Sequence, residues 1–332
     1  MTMCRTIDAE PFRLDIDGQA LFGLRAGRNG TRGLVVALHG GGYDARYWHH
    51  PGQTDASLLL LGAALGFDVV AFDRPGNGGS TGAAESGYSI AEQRKLLFTA
   101  IDRIAGDRVI PVYLIGHSLG AILALAMAAD DRAGLATLDV SGVSLHYTPR
   151  MRARLEEHLR ILSRSGAASA PAIDPEARRA LFYGADGTFD PVVVARGDTE
   201  HPVPTIEMVE ATRCPEDLPA KLGRIVTAVQ WTIPVDEGAS LGGQGVLDEV
   251  RNLLVASPHV VTALQMASGH NISLHHVARA YHLRAFAFSN NVAQSRRRAL
   301  PLPYRIQLQV QKSRQESIVA LRRGTHVRRY SL

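Results

Sequence analysis

The stretch Pro111-Val112-Tyr113-Leu114-Ile115-Gly116-His117-Ser118-Leu119-Gly120, followed by Ala121-Ile122-Leu123-Ala124-Leu125-Ala126-Met127-Ala128-Ala129, decides the fold. Its first half is a short apolar run rich in β-formers. Its last part is a strong helix former that is apolar all round. A G-x-S-x-G pentapeptide between a buried strand and a buried helix has the context of a nucleophile elbow. There the serine backbone is held in a strained turn, and glycines on either side allow close backbone approach. The hydroxyl then stands above the strand end, and the new helix points its N-terminus at any developing negative charge.

Working outward, the chain alternates strand and helix signals. Phe12 to Ile16 and Ala20 to Leu24 flank Asp17-Gly18, a hairpin turn. Leu34 to Leu38 and Asp68 to Phe72 are continuous apolar runs, as expected of strands covered on both faces. Thr54 is placed to cap a helix running to Ala64, with Gly66 just past its end. Ser89-Ile90-Ala91-Glu92 is a capping box for a helix whose Leu97, Ile101 and Ile104 share a face, closed by Gly106. Leu135 to Val140 reads as a strand. This alternation predicts an α/β fold with a mostly parallel central sheet and helices on both faces. Ligands in such sheets gather beyond the carboxyl ends of the strands.

The rhythm breaks at about Leu145. An amphipathic charged helix, Met151 to Leu162, precedes an Ala/Ser/Pro loop and a second helix from Pro175 to Phe182. Beyond that the chain reads as Pro-rich and irregular. The alternation resumes with a strand from Ile225 to Thr232, a helix from Gly245 to Val255, a strand from His259 to Leu264 and a helix from Ile272 to Phe288. The expected organisation is a core over residues 1–144, a lid inserted after the sixth strand over 145–222, the second part of the core over 223–290, and an extension over 291–332. Within that extension Arg305 to Gln311 alternates like an edge strand.

The 332 residues can bury a large core. The net charge of +4 is uneven: from Arg296 onward ten basic residues face Glu316 alone, so the remainder is mildly acidic. Basicity therefore belongs to the tail and says little about the main substrate, and nucleic acid is not the expected partner. Cys4 and Cys214 cannot make a disulfide framework. The N-terminus lacks the apolar segment of a secretory signal, and no apolar run is long enough to span a membrane, so a cytoplasmic protein is expected. His49-His50 and His275-His276 have no convincing third ligand nearby, so no metal site is expected. No Gly-rich phosphate loop or dinucleotide fingerprint sits at a strand–helix turn, and no cofactor is implied.

Four landmarks stand in order at strand ends: His39-Gly40-Gly41-Gly42, Asp73-Arg74-Pro75-Gly76-Asn77-Gly78-Gly79-Ser80, Gly116-His117-Ser118-Leu119-Gly120, and Gly269-His270. With them the chain resembles the α/β-hydrolase-fold family from about Phe12 to Asn290. The resemblance implies Ser118 as nucleophile. It implies His270, in the loop after the last strand, as the base that takes the serine proton. The triad acid is expected after the preceding strand, at Asp236, with Glu237 and Asp139 as alternatives. The oxyanion hole is expected from the backbone N–H groups of Gly41 and Leu119. His39 and Gly40 are expected to shape that loop, and Asp73 to bond turn amides. Tyr43, Tyr47 and Trp48, with Tyr147 and Tyr183 opposite, are expected around the pocket entrance. His275 and His276 are expected inside the last helix.

These residues imply a serine hydrolase acting on an ester or thioester of a small or medium organic molecule through an acyl-enzyme. The alternatives are a thioesterase whose basic tail docks an acyl carrier protein, a C–C bond hydrolase or lactonase, and a non-catalytic ligand receptor on the same fold.

Overall fold

Leu34–Leu38 (β3) and Asp68–Phe72 (β4) are buried at every position. That is the signature of strands sandwiched between layers, and it places them inside the sheet. The computed structural model of the protein describes residues 8–80, 82, 87–130, 134–170, 173–195 and 201–299. The remaining strands are Glu10–Ile16 (β1), Gln19–Ala26 (β2), Val112–His117 (β5), Leu135–Ser141 (β6), Ala228–Asp236 (β7) and Val260–Gly269 (β8). They form one eight-stranded sheet in the order β1-β2-β4-β3-β5-β6-β7-β8. The β1–β2 and β2–β4 pairs are antiparallel and the others parallel. In the β1–β2 hairpin, Asp17 and Gly18 have φ of 52° and 85°. Positive φ at both turn residues is what a two-residue hairpin requires, so the Asp-Gly signal reads correctly.

Helices α1 (Leu58–Ala64), α2 (Ile90–Ala105) and α3 (Leu119–Ala128) connect the first parallel strands. Ser57 caps α1, accepting from the Leu60 N–H, while Thr54 opens only a short 3₁₀ turn. The expected cap was therefore three residues early. Ser89 and Glu92 form the expected capping box on α2. In α3 every residue from Gly120 to Ala128 is buried. The main core gathers β3, β5, β6 and β7 around this helix.

Between β6 and β7 run α4 (Pro149–Ser165), α5 (Pro175–Phe182), α6 (Pro191–Ala195) and α7 (Thr205–Leu222). The last corrects the irregular segment expected there. Pro215 lies inside α7 and has no N–H for the carbonyl of Ala211, one turn back. The Tyr147 hydroxyl donates to that carbonyl at 2.6 Å and replaces the missing bond. α7 also bridges two apolar clusters. Cys214, Leu218 and Leu222 join the main core, while Met208 and Ala211 pack with Leu155 and Leu162 of α4.

Helix α8 (Gln244–Leu253) precedes β8, and α9 (Ala278–Ala299) ends the described chain. The helix expected from Ile272 is a 3₁₀ turn at Ile272–Leu274 followed by α9. Contacts divide the chain into two units, Met1–Ser289 and Asn290–Leu332. The edge strand expected over 305–311 and most of the basic tail lie outside the described residues. No helix among the described residues is long and apolar enough to cross a membrane.

Candidate active site

Ser118 caps α3 at the end of β5 with φ 52° and ψ −120°. Positive φ in a non-glycine residue carries strain of about 1–3 kcal/mol and persists only where the surroundings impose it. Here the Ser118 N–H donates to the Ser141 carbonyl of β6 at 2.9 Å, and its own carbonyl accepts from Ala121 and Ile122. Gly120 leaves room for neighbouring backbone: a Cβ there would run into the carbonyls of Leu38 and His39. The turn therefore requires glycine where the pentapeptide has it.

The carboxylate that meets His270 is Glu237, which corrects the expectation of Asp236. His270 Nδ1 lies 2.8 and 2.9 Å from the two Glu237 carboxylate oxygens, and both side chains are buried. The reason is register. β7 and β8 pair Pro234 with Gln265, then Asp236 with Gly269. Two extra residues of β8 bulge out between these pairs, with Ala267 at φ 52°. Once Asp236 stands beside Gly269, the next residues of the two strands, Glu237 and His270, stand beside each other. Glu237 is further fixed by the N–H groups of Ala239 and Ser240, which donate to its Oε1. Asp236 is the last residue of β7, not a loop residue, and packs over Gly184. Asp139 is also removed from His270. It bonds the Gln230 amide and the Tyr281 hydroxyl, and burial pushes its acid up to about 6.

With its Nδ1 proton directed at Glu237, His270 is left with a lone pair on Nε2, as a general base requires. The turn that carries it is held from two sides. The Gly269 N–H donates to His275 Nε2, and the Asn271 N–H donates to the Phe182 carbonyl at the end of α5. His275 is thus a buried turn residue, not part of the last helix. Asn271 also bonds His117 Nε2 and the Tyr43 hydroxyl. Sequence reasoning did not single out Asn271. Its position directly after His270 was the only signal available.

Leu119 opens α3, so its N–H has no acceptor within the helix. Among the described residues the Gly41 N–H has none either. A Cβ on Gly41 would meet the Leu119 side chain, which places the two residues side by side. The loop is fixed from beneath. His39 Nδ1 donates to the Gly40 carbonyl, and His39 Nε2 accepts from the Arg74 N–H. Both nitrogens are thus used by a neutral ring, and burial and the Arg74 charge hold its pKa well below the usual value. The Arg74 guanidinium donates to the carbonyls of His39 and Gly40 and forks onto Glu207 of α7 at 2.6 and 3.0 Å. Gln93 and Asn77 also donate to Glu207. Asp73 accepts from the amides of Ala45 and Gly79, the architectural role expected of it.

The aromatic residues divide. Tyr43 lines the cavity described next, and its hydroxyl meets that of Tyr183 at 3.0 Å. Tyr47 and Trp48 are buried beneath the site, Tyr47 stacked on His117 at 4.8 Å. They do not form an entrance. Among the described residues no cluster of side chains suits a metal ion.

A cavity of about 530 Å³ has Ser118, His270, Gly41 and Leu119 in its wall. That volume suits a small or medium organic molecule. Met151, Arg154, Leu155 and His158 of α4 complete it, with Val203 and residues of α5 and α7.

The sequence profile of the Alpha/beta hydrolase family matches residues 35–293. Among curated proteins, the chain is 38% identical over 107 residues to a protein of Variovorax paradoxus named as the carbamate hydrolase RutD, a match covering 32% of this chain and 36% of that one. It is 33% identical over 135 residues to 2-succinyl-6-hydroxy-2,4-cyclohexadiene-1-carboxylate synthase of an Enterobacter species, covering 40% of this chain and 46% of the relative. The matches thus span less than half the length of these curated relatives. Among solved structures, a thermostable carboxyl esterase from Bacillus coagulans superposes with a TM-score of 0.63 at 19% identity, over 87% of this chain and 100% of that one. The thioesterase domain from the curacin biosynthetic pathway superposes with a TM-score of 0.62 at 16% identity, over 84% and 99%.

Proposed function

The chain belongs to the alpha/beta hydrolase family, and on that premise we propose that it hydrolyses a carboxylic ester or thioester of a small or medium organic acid through Ser118, His270 and Glu237. The observation that carries this reading is the Glu237 carboxylate on His270 Nδ1, in a histidine that shares its cavity with the strained Ser118. In the proposed reaction His270 Nε2 takes the Ser118 proton as Oγ attacks the acyl carbon. The N–H groups of Gly41 and Leu119 donate to the oxyanion, each such donor being worth about 10²–10³ in rate. The intermediate collapses as His270 returns the proton to the departing alcohol or thiol. Water, deprotonated by the same nitrogen, then releases the acid from Ser118. Glu237 holds the ring orientation and stabilises the imidazolium formed in both steps.

Intact-mass labelling with a fluorophosphonate probe tests the nucleophile. Wild-type protein is expected to gain one adduct and Ser118→Ala none. A folded wild-type protein that gains no adduct would overturn the reading and favour a ligand receptor. An ester and thioester panel then separates the two substrate types.

A further inference from the structure

Helix α4 carries Met151, Arg154, Leu155 and His158 at positions i, i+3, i+4 and i+7, and all four line the cavity. That spacing is one helical stripe. Two of the four stripe residues are polar, although the stripe faces a largely apolar chamber.

Arg154 is half-buried and, among the described residues, forms no ion pair or hydrogen bond. Its pKa is lowered by burial, with no neighbouring carboxylate to restore it. Three other arginines near the core are paired with carboxylates. Arg74 forks onto Glu207, while Arg25 and Arg108 share Asp68. His158, one turn on, is 7% exposed, and its buried Nδ1 has no hydrogen-bond partner among the described residues. Burial and the Arg154 charge both lower its pKa, which favours the neutral ring. The cavity wall contains two arginines and four histidines, and no aspartate or glutamate among the described residues. Arg154, half-buried in such a wall, lacks among the described residues the counterion that a buried cation ordinarily has.

The geometry points to Arg154 and His158 as a subsite for an anionic group of the substrate, so that the natural ligand is an ester or thioester carrying a free carboxylate. A guanidinium fork matches a carboxylate with two parallel hydrogen bonds, and a neutral histidine adds a third donor. This inference rests on the proposed hydrolysis at Ser118 for its substrate class. Binding of the anion does not depend on turnover, so the two ideas can fail separately.

Two matched ester pairs test it. Mono-4-nitrophenyl adipate against 4-nitrophenyl hexanoate places the charge on the acid side. 4-(Hexanoyloxy)benzoate against phenyl hexanoate places it on the leaving group. Wild-type protein is expected to prefer the charged member of one pair. Arg154→Gln should lower that charged-to-neutral ratio of kcat/KM at least tenfold, and Arg154→Lys should retain part of it. Calorimetry with adipate and Ser118→Ala protein reads the subsite without chemistry. Binding should be measurable, and lost when Arg154→Gln is added. An absence of turnover with adipate binding intact would sink the proposed hydrolysis but leave the subsite standing. Adipate binding that is absent, or that survives Arg154→Gln, overturns the subsite. So does a charged-to-neutral ratio that Arg154→Gln leaves unmoved.

Discussion

At the scale of single residues, the choice between two adjacent carboxylates carries most of the proposed mechanism. Glu237→Gln keeps the shape of the side chain but removes the charge that orients and stabilises His270. It is expected to lower kcat by about 10²–10⁴, with KM little changed. Asp236→Asn is expected to leave kcat/KM close to wild type. Steady-state kinetics on the two variants, with any ester the protein accepts, reads both outcomes. Sequence reasoning ranked these residues the other way for an identifiable reason. Ser118 is legible because its strand, turn and helix are contiguous. The partner of His270 depends on a pairing between distant strands, and on a bulge around Ala267 that no local pattern announces. A one-residue difference in register exchanges the side chains that meet. His270 is singled out through the family resemblance, which puts the base in the loop after the last strand, so it needs no knowledge of the pairing register.

At the scale of elements, α7 joins the site to the core. Its prolines read as helix breakers, because local propensity carries no information about the Tyr147 hydroxyl that restores the lost bond. Tyr147→Phe leaves the buried Ala211 carbonyl without a partner. It is expected to destabilise the protein by about 1–3 kcal/mol in urea unfolding. Glu207 on the same helix has a larger task. Glu207→Ala strands the Arg74 guanidinium, which is 1% exposed, beneath the Gly41 loop. The expected loss is about 3–5 kcal/mol by the same measurement. The short buried strands and the α2 capping box were legible for the opposite reason: each is specified within its own few residues.

At the scale of the whole molecule, buried histidines set the response to acid. His275 and His282 are pushed down to about 4 by burial, and His39 and His117 are held well below the ordinary value near 6.5. Between about pH 6.5 and 4 the unfolded chain binds protons at these positions that the folded chain refuses. Stability therefore falls as pH falls through that window. Asp139, held up to about 6 by burial, and Asp73 and Glu210, raised by burial as well, act in the opposite direction, but His49 and His158 are also lowered, so three carboxylates stand against six histidines among the described residues. Thermal melts from pH 7 to pH 4 are expected to show Tm falling by roughly 5–15 °C. The cavity cation adds a second prediction. Replacing an unpaired half-buried guanidinium with an apolar side chain of similar length should stabilise the empty protein. Arg154→Met is expected to raise Tm at pH 7 by about 1–3 °C while weakening adipate binding.

The fork between Arg74 and Glu207 also limits how such a protein can diversify. Arg74 follows β4, and Glu207 arrives more than a hundred residues later, in the segment between β6 and β7. That segment forms much of the chamber wall, so exchanging it is the obvious way to obtain a new specificity. An exchange that brings no acid to the place of Glu207 would bury a lone cation under the Gly41 loop. Chimaeras made by swapping residues 145–222 should therefore succeed only when the donor segment supplies that carboxylate, or when Arg74 is replaced in the same step.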